Sequence, residues 1–347
     1  MTNNYTSELQ NTAASLMQEG KGILAMDESN GTCNKRFAQL DIAETEENRR
    51  AYRELLLTAP NLGNYISGAI LYDETIRQST ADGKSFIEVM QNVGIIPGIK
   101  VDTGAKDYAR HPGEKVTEGL DGLRDRIAEY YQMGARFAKW RAVITIDDGI
   151  PSEGCIEANA HGLARYAALC QEGGLVPIVE PEVLISGDHS IEHCYKVSEK
   201  TLHEVFRQLY VQGAAYDQMI LKPSMIVPGD RCSDKASVEK VATETVRCLL
   251  DTVPPAVPGI AFLSGGQSKE RSSAHLNYMN ANMRSQFPWR VTFSYARAIQ
   301  QPALDRWRGK AENVAEAQKI LVQRAKLNSA ASQGNYSEEM EKQPVSA

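Results

Sequence analysis

The 347-residue chain reads as a single-domain α/β protein, a (β/α)8 barrel, and three observations predict it. Short β-prone runs recur at intervals of roughly 30–45 residues. Helical stretches with one apolar face separate them. A Gly-rich first turn of the GxGxxG kind is absent, which weighs against the rival architecture, an open doubly wound sheet.

The runs cover residues 22–27, 66–72, 95–101, 135–141, 175–181, 217–222, 259–264 and 289–294. Strand and helix alternating eight times is the pattern of a closed parallel barrel. Leu120, Leu123, Ile127 and Tyr131 share one helical face, and so do Leu202, Val205, Phe206, Leu209 and Tyr210. The first twenty residues suit an extra helix ahead of the first strand. No Pro/Gly/Ser-rich linker breaks the repeat, so residues 1–347 are expected to form one domain with its barrel core at 21–327. From Asn328 the composition turns to Ser, Gln, Asn and Glu, and 328–347 is expected to be a mobile tail.

Composition narrows the function classes. Hydrophobic residues make up 42% and charged residues 24%, ordinary for a soluble globular protein. A net charge of −6 argues against a nucleic-acid partner, which would require a basic face. No apolar run is long enough to span a bilayer, and residues 1–10 are too polar for a signal core, so a cytoplasmic protein without a membrane partner is expected. The six cysteines are scattered, without metal-ligand or disulfide spacing, and the six histidines show no zinc pattern. No metal and no cofactor is expected.

In such barrels the working residues stand where strands end. Here those ends are charged: Asp27-Glu28-Ser29, Lys100-Val101-Asp102, Lys139-Trp140-Arg141, Glu180-Pro181-Glu182 and Lys222-Pro223. Lys139 and Arg141 are two apart and share a strand face, as do Glu180 and Glu182. A mouth holding several cations and carboxylates pushes their pKa values apart and supplies acids and bases.

Each residue has a plain reading beside a chemical one. Lys222 closes the apolar run Met219-Ile220-Leu221; it either snorkels to the surface or serves as a neutral amine able to attack a ketone. Lys139 and Arg141 are either rim partners of Glu180 and Glu182, or a stabiliser of a developing oxyanion and a bidentate phosphate ligand. Glu180 is a satisfied carboxylate or a general acid/base. Asp27 is an N-cap or a group that orients substrate. Ser264-Gly265-Gly266 is a tight turn or a backbone cradle for an anion, with Arg297 beyond the eighth strand supplying charge. Lys35-Arg36 is a solvated helix face or a second cationic cluster, suited to a substrate with a phosphate at each end.

Taken together in this order, GKGILAMDESNGTCNKR (20–36), GIKVD, FAKWRAV, PIVEPEVL, ILKPSM, FLSGGQS and FSYARA resemble the class I fructose-bisphosphate aldolases over roughly residues 5–327. The resemblance implies a Schiff-base lysine at Lys222 and a proton acceptor and donor at Glu180. Glu182, Asp27, Lys139 and Lys100 complete the implied catalytic set. Ser264, Gly265, Gly266, Ser294 and Arg297 resemble the site for the C1 phosphate. Lys35, Arg36 and Arg141 resemble contacts at the sugar's other end, and Ser29 belongs with the implied substrate- and phosphate-binding residues. It further implies a sugar bisphosphate substrate, no metal, and a homotetramer. Ala296 stands where animal members carry glycine. Many members end in a tyrosine that protonates the enamine; here the last tyrosine is Tyr336, so either it substitutes or another group or water acts. Two rivals stand beside this reading: a transaldolase-like transferase using one phosphate, and a silent scaffold binding a protein partner.

Overall fold

The computed structural model describes residues 5–343; the expected tail end, 344–347, lies outside the described residues, as do 1–4. Eight strands, Gly22–Ala25, Ile66–Leu71, Ile96–Lys100, Phe137–Ile144, Val176–Val183, Ile220–Leu221, Gly259–Phe262 and Arg290–Tyr295, close into a barrel in sequence order. All neighbours are parallel, and the first strand meets the last with Ile23 opposite Ser294. This is the TIM-barrel architecture that the alternation predicts.

Side chains two apart on each strand point inward together, and their character changes from bottom to top. On the fourth strand Phe137 is followed by Lys139 and Arg141; on the fifth, Val176 and Ile178 by Glu180 and Glu182. Ile23 and Ala25 precede Asp27 on the first, and Ile220 precedes Lys222 on the sixth. The lower layers are therefore apolar and the uppermost charged.

The expected N-terminal helix exists as Thr6–Leu16, and it completes the barrel floor. Leu9, Ala13 and Leu16, at helical spacing, pack with Met17 against Ile23, Ile70, Phe137, Val176, Ile220 and Ala261. Room for this plug comes from missing side chains. A Cβ on Gly98 would lie 2.2 Å from the Phe137 ring, and one on Gly68 would lie 2.5 Å from Leu16. Full burial of each large apolar side chain contributes about 1.5–3 kcal/mol.

Several expectations need correction. The sixth strand is only Ile220–Leu221, because Tyr216–Gln218 winds into a 3-10 turn. The fourth continues past 141 to Ile144, carried by Ala142-Val143-Ile144 and paired as far as Val183. An antiparallel hairpin, Gly104–Asp107 with Lys115–Glu118, follows the third strand; its polar sequence hides it. In helix Leu123–Met133 the buried face is Leu123, Ile127 and Tyr130, with Leu120 before the helix and Tyr131 at its edge. Tyr210 is 78% exposed, since one residue past buried Leu209 turns it off the stripe.

The boundary at Asn328 is also displaced. Helix Val314–Ser332 runs straight through it, and Asn328 is buried with its amide on the Arg324 carbonyl at 2.9 Å. Tyr336 is buried too, and Glu341 is anchored to Arg324. The polar composition serves internal hydrogen bonds in this segment.

Candidate active site

The charged upper layer lines a cleft of about 540 Å³ at the C-terminal end of the barrel. That volume falls within the usual range for small-molecule sites. Its walls include Asp27, Ser29, Arg36, Lys100, Lys139, Arg141, Glu180, Glu182, Lys222, Ser264, Gly265, Ser294 and Arg297. Thirteen of the fifteen residues singled out in the sequence thus meet in one cavity. Gly266 is just behind the wall: a Cβ there would sit 3.7 Å from the Arg297 guanidinium. Lys35 is on the exposed side of its helix and lines nothing, because consecutive helical residues point about 100° apart and Arg36 takes the inward position.

At the centre is a chain of alternating charges from the ends of four strands. Lys139 Nζ is 2.6 Å from Asp27 Oδ2 and 3.2 Å from Glu180 Oε2. Lys222 Nζ is 3.1 Å from Glu180 Oε1. Lys222, Lys139 and Glu180 are each 3% exposed, which contradicts the surface-snorkelling reading of Lys222. Although close to Lys139, Glu180 Oε2 makes no hydrogen bond; the separation suits an ion pair but the angle does not suit a bond. A buried carboxylate oxygen with an unused lone pair therefore lines the cleft.

Electrostatics assign protonation states. Burial would raise the Asp27 carboxyl, but Lys139, Lys222 and Lys100 outweigh it and hold the group at about 2. Glu180 is lowered in the same way: burial opposes ionisation, and Lys139, Lys222 and Arg141 overcome it. Lys139 loses hydration, yet Asp27, Glu180 and Asp102 raise its pKa. At neutral pH this corner holds two carboxylates and a permanent ammonium at Lys139. Among the described residues, Lys139 sits between two carboxylates, whereas Lys222 pairs with Glu180 alone.

The outer residues form two cationic ends. On one side, Arg36 (2.6 Å) and buried Arg53 (2.8 Å) share the single carboxylate of Glu28, leaving a surplus positive charge. Ser29, not Asp27, caps helix Asn30–Ala38, accepting from the Thr32 N–H. On the other side, among the described residues, Arg297 makes no ion pair or hydrogen bond, and the buried Ser294 hydroxyl has no partner. Arg297 also begins helix Arg297–Trp307, whose N-cap Ala296 offers no side chain to the free N–H groups. Gly265 (φ 57°) and Gly266 (φ 88°) form a turn beside it in the left-handed region. These unused donors and this charge are chemically suited to an anion. Arg141 pairs with Glu182, as its rim-partner reading expects, and Lys100 with Asp102 at 2.5 Å.

Some wall residues escaped the sequence reading. Asp102, named among the charged strand ends but given no role, sits two past Lys100 and so shares its face. Arg53, behind the wall on Glu28, also escaped it, though its spacing from Leu56 and Leu57 places it on the apolar side of helix Glu46–Leu57. Tyr72 lines the cleft at the end of the second strand, and nothing local distinguishes it from a core tyrosine. Tyr336 does not line the cleft; its hydroxyl donates to Glu341 Oε1 at 3.0 Å. Among the described residues, no cluster of three or more His, Cys, Asp or Glu is arranged to hold a metal, and no helix is long and apolar enough to cross a membrane.

Comparison with known proteins identifies the family. A family model described as fructose-bisphosphate aldolase class-I matches residues 8–347. A probable class 1 fructose-bisphosphate aldolase of Xanthomonas campestris pv. campestris is 58% identical over 330 residues, covering 95% of this chain and 98% of its own length. The chloroplastic fructose-bisphosphate aldolase 1 of Chlamydomonas reinhardtii is 54% identical, covering 96% of this chain and 87% of its own. Among solved structures, fructose-bisphosphate aldolase of Plasmodium falciparum, in complex with TRAP and a small molecule inhibitor, superposes with a TM-score of 0.94 at 49% identity, covering 96% of both chains. On the family match and these identities, the chain belongs to the class I fructose-bisphosphate aldolases.

Proposed function

We propose that this chain cleaves and re-forms fructose 1,6-bisphosphate with Lys222 as the covalent nucleophile and Glu180 as its proton shuttle. The observation that carries the reading is the buried Lys222 amine, 3.1 Å from a Glu180 carboxylate that keeps one oxygen unbonded. Lys222 Nζ adds to the C2 ketone and, after proton transfer, water leaves to give an iminium. The C4 hydroxyl gives its proton to Glu180, the C3–C4 bond breaks, and its electrons pass into the iminium. Glyceraldehyde 3-phosphate departs and an enamine remains. Protonation at C3 and hydrolysis release dihydroxyacetone phosphate and return the amine. Tyr336 is tied to Glu341, so in this reading the protonated Glu180 returns the proton.

Lys139, held as an ammonium, stabilises negative charge developing on the substrate oxygens. Asp27 orients Lys139 and the bound nitrogen, with Lys100 and Glu182 completing the charge network. The C1 phosphate rests on Ser264, Gly265, Gly266, Ser294 and Arg297. Ser29, Arg36 and Arg141 meet the far end, and Lys35 has no part. The barrel and its terminal helices work as one domain, since the N-terminal helix forms the floor. A cytoplasmic location, favoured by six free buried cysteines, and homotetrameric assembly belong to the same reading.

A substrate with two phosphates engages both cationic ends. Arg36→Ala and Arg297→Ala are each expected to raise the KM for fructose 1,6-bisphosphate by about tenfold or more, the usual worth of a charged hydrogen bond. An unchanged KM in both variants contradicts the bisphosphate assignment and favours the single-phosphate transferase.

A further inference from the structure

The C-terminal segment ends on a buried cation. Arg324, within helix Val314–Ser332, is 3% exposed, and every nitrogen of its guanidinium is used. Nη1 donates to both oxygens of Glu341, at 2.5 and 2.6 Å. Nη2 donates to the Lys269 carbonyl and the Ser273 hydroxyl, both at 3.1 Å, and Nε to the Ala298 carbonyl at 3.3 Å. Tyr336 braces the arrangement: its hydroxyl bonds Glu341, and its backbone N–H bonds Asn277 at 2.9 Å.

The two carbonyls lie in the first turns of the two helices that flank the anion subsite, behind its lining residues. Lys269 opens helix Lys269–Asn282, three residues after Gly266. Ala298 is the second residue of the helix that Arg297 opens. Tyr295, the last residue of the eighth strand and two before that helix, donates its hydroxyl to the Ser272 carbonyl at 2.9 Å, tying helix Lys269–Asn282 to the strand that leads into Arg297. One rigid, planar guanidinium thus spans the starts of both helices that flank the subsite. A buried guanidinium holds its place only when its charge is compensated. Among the described residues, the one carboxylate that pairs with it is Glu341, from a segment whose composition reads as a free tail.

The geometry points to Arg324 and Glu341 as positioning residues of the C1-phosphate subsite, with the C-terminal segment acting as a strut that fixes the Gly265-Gly266 turn relative to Arg297. The inference rests on the reading of that subsite as a phosphate site. Neither residue lines the cleft, so the effect is transmitted through the Lys269 and Ala298 carbonyls.

The test uses the full chain, assayed well below each variant's unfolding temperature. Glu341→Gln is expected to raise the KM for fructose 1,6-bisphosphate and the inhibition constant of inorganic phosphate together, by about fivefold, the scale of coupling through residues that touch no ligand. Its kcat should change by less than about twofold, as for lost uniform binding. Arg324→Lys, which keeps the charge but not the planar fork, should fall between wild type and Glu341→Gln. The double variant Arg324→Met/Glu341→Leu should regain thermal stability, because an apolar pair avoids the buried charge, yet still bind phosphate weakly. If phosphate affinity instead follows stability, or Glu341→Gln leaves both constants unchanged, the strut is only structural and the inference fails. Arg297→Ala separates the two ideas: unchanged phosphate inhibition in that variant overturns the subsite reading itself.

Discussion

The floor and the mouth of this barrel are built by the same strands, two residues apart, and are held by opposite physics. At the floor, Phe137, Val176 and Ile220 meet the apolar plug of helix Thr6–Leu16. At the mouth, one inward position higher, stand Lys139 and Lys222, with Glu180 two inward positions above Val176. The floor gains from removing surface from water. The mouth loses hydration at every charged group and recovers it only through partners within 2.6–3.2 Å. The fold therefore depends on one layer and the chemistry on the next, and perturbing either should leave the other largely intact.

The largest expected effect lies at the mouth. Lys222→Met should lower kcat by about 10⁴-fold or more, as loss of a covalent nucleophile does in other enzymes, while the thermal midpoint shifts little. Substantial turnover in that variant contradicts the role assigned to Lys222. The converse change is Phe137→Ala at the floor. It should cost about 3–5 kcal/mol of stability, measured by denaturant titration, with kcat near wild type at low temperature. If kcat falls in proportion to stability, the two layers are coupled and the separation drawn here is wrong.

A smaller effect follows from the charge network. Asp27 is held at about 2 in the fold against an ordinary 3.8. A carboxyl lowered by folding stabilises above its unfolded pKa, and that contribution disappears as pH falls through the folded value. It amounts to about 2 kcal/mol at neutral pH and should be lost between about pH 5 and pH 2. Acid unfolding followed by circular dichroism should show a shallower pH dependence for Asp27→Asn over this interval. Parallel curves for the two proteins contradict the assigned shift.

The same contrast explains what was legible in the sequence. Period-two patterning at Phe137, Lys139 and Arg141, and at Val176, Ile178, Glu180 and Glu182, exposes both the strand and its change from apolar to charged. The eight strands and most of the cleft follow from it. The hairpin Gly104–Asp107 and Lys115–Glu118 was not legible, because tertiary partners hold it. The Thr117 hydroxyl donates to the Arg141 carbonyl at 2.8 Å, and the Thr117 N–H donates to Asn159 at 3.1 Å. The C-terminal segment misleads for a related reason. Glu341 and Tyr336 read as solvated tail residues, yet the distant, buried Arg324 holds Glu341, and Tyr336 bonds Glu341 and Asn277. Local composition cannot register a partner supplied by another helix.

The central claim is that the Lys222 amine condenses with the sugar ketone. Borohydride reduction in the presence of dihydroxyacetone phosphate and a metal chelator, followed by peptide mapping, tests it most directly. The account predicts loss of activity with one stable adduct per chain, on Lys222, and full activity in chelator alone. An adduct on Lys139 or Lys100 instead, or no adduct and activity that the chelator abolishes, would contradict it.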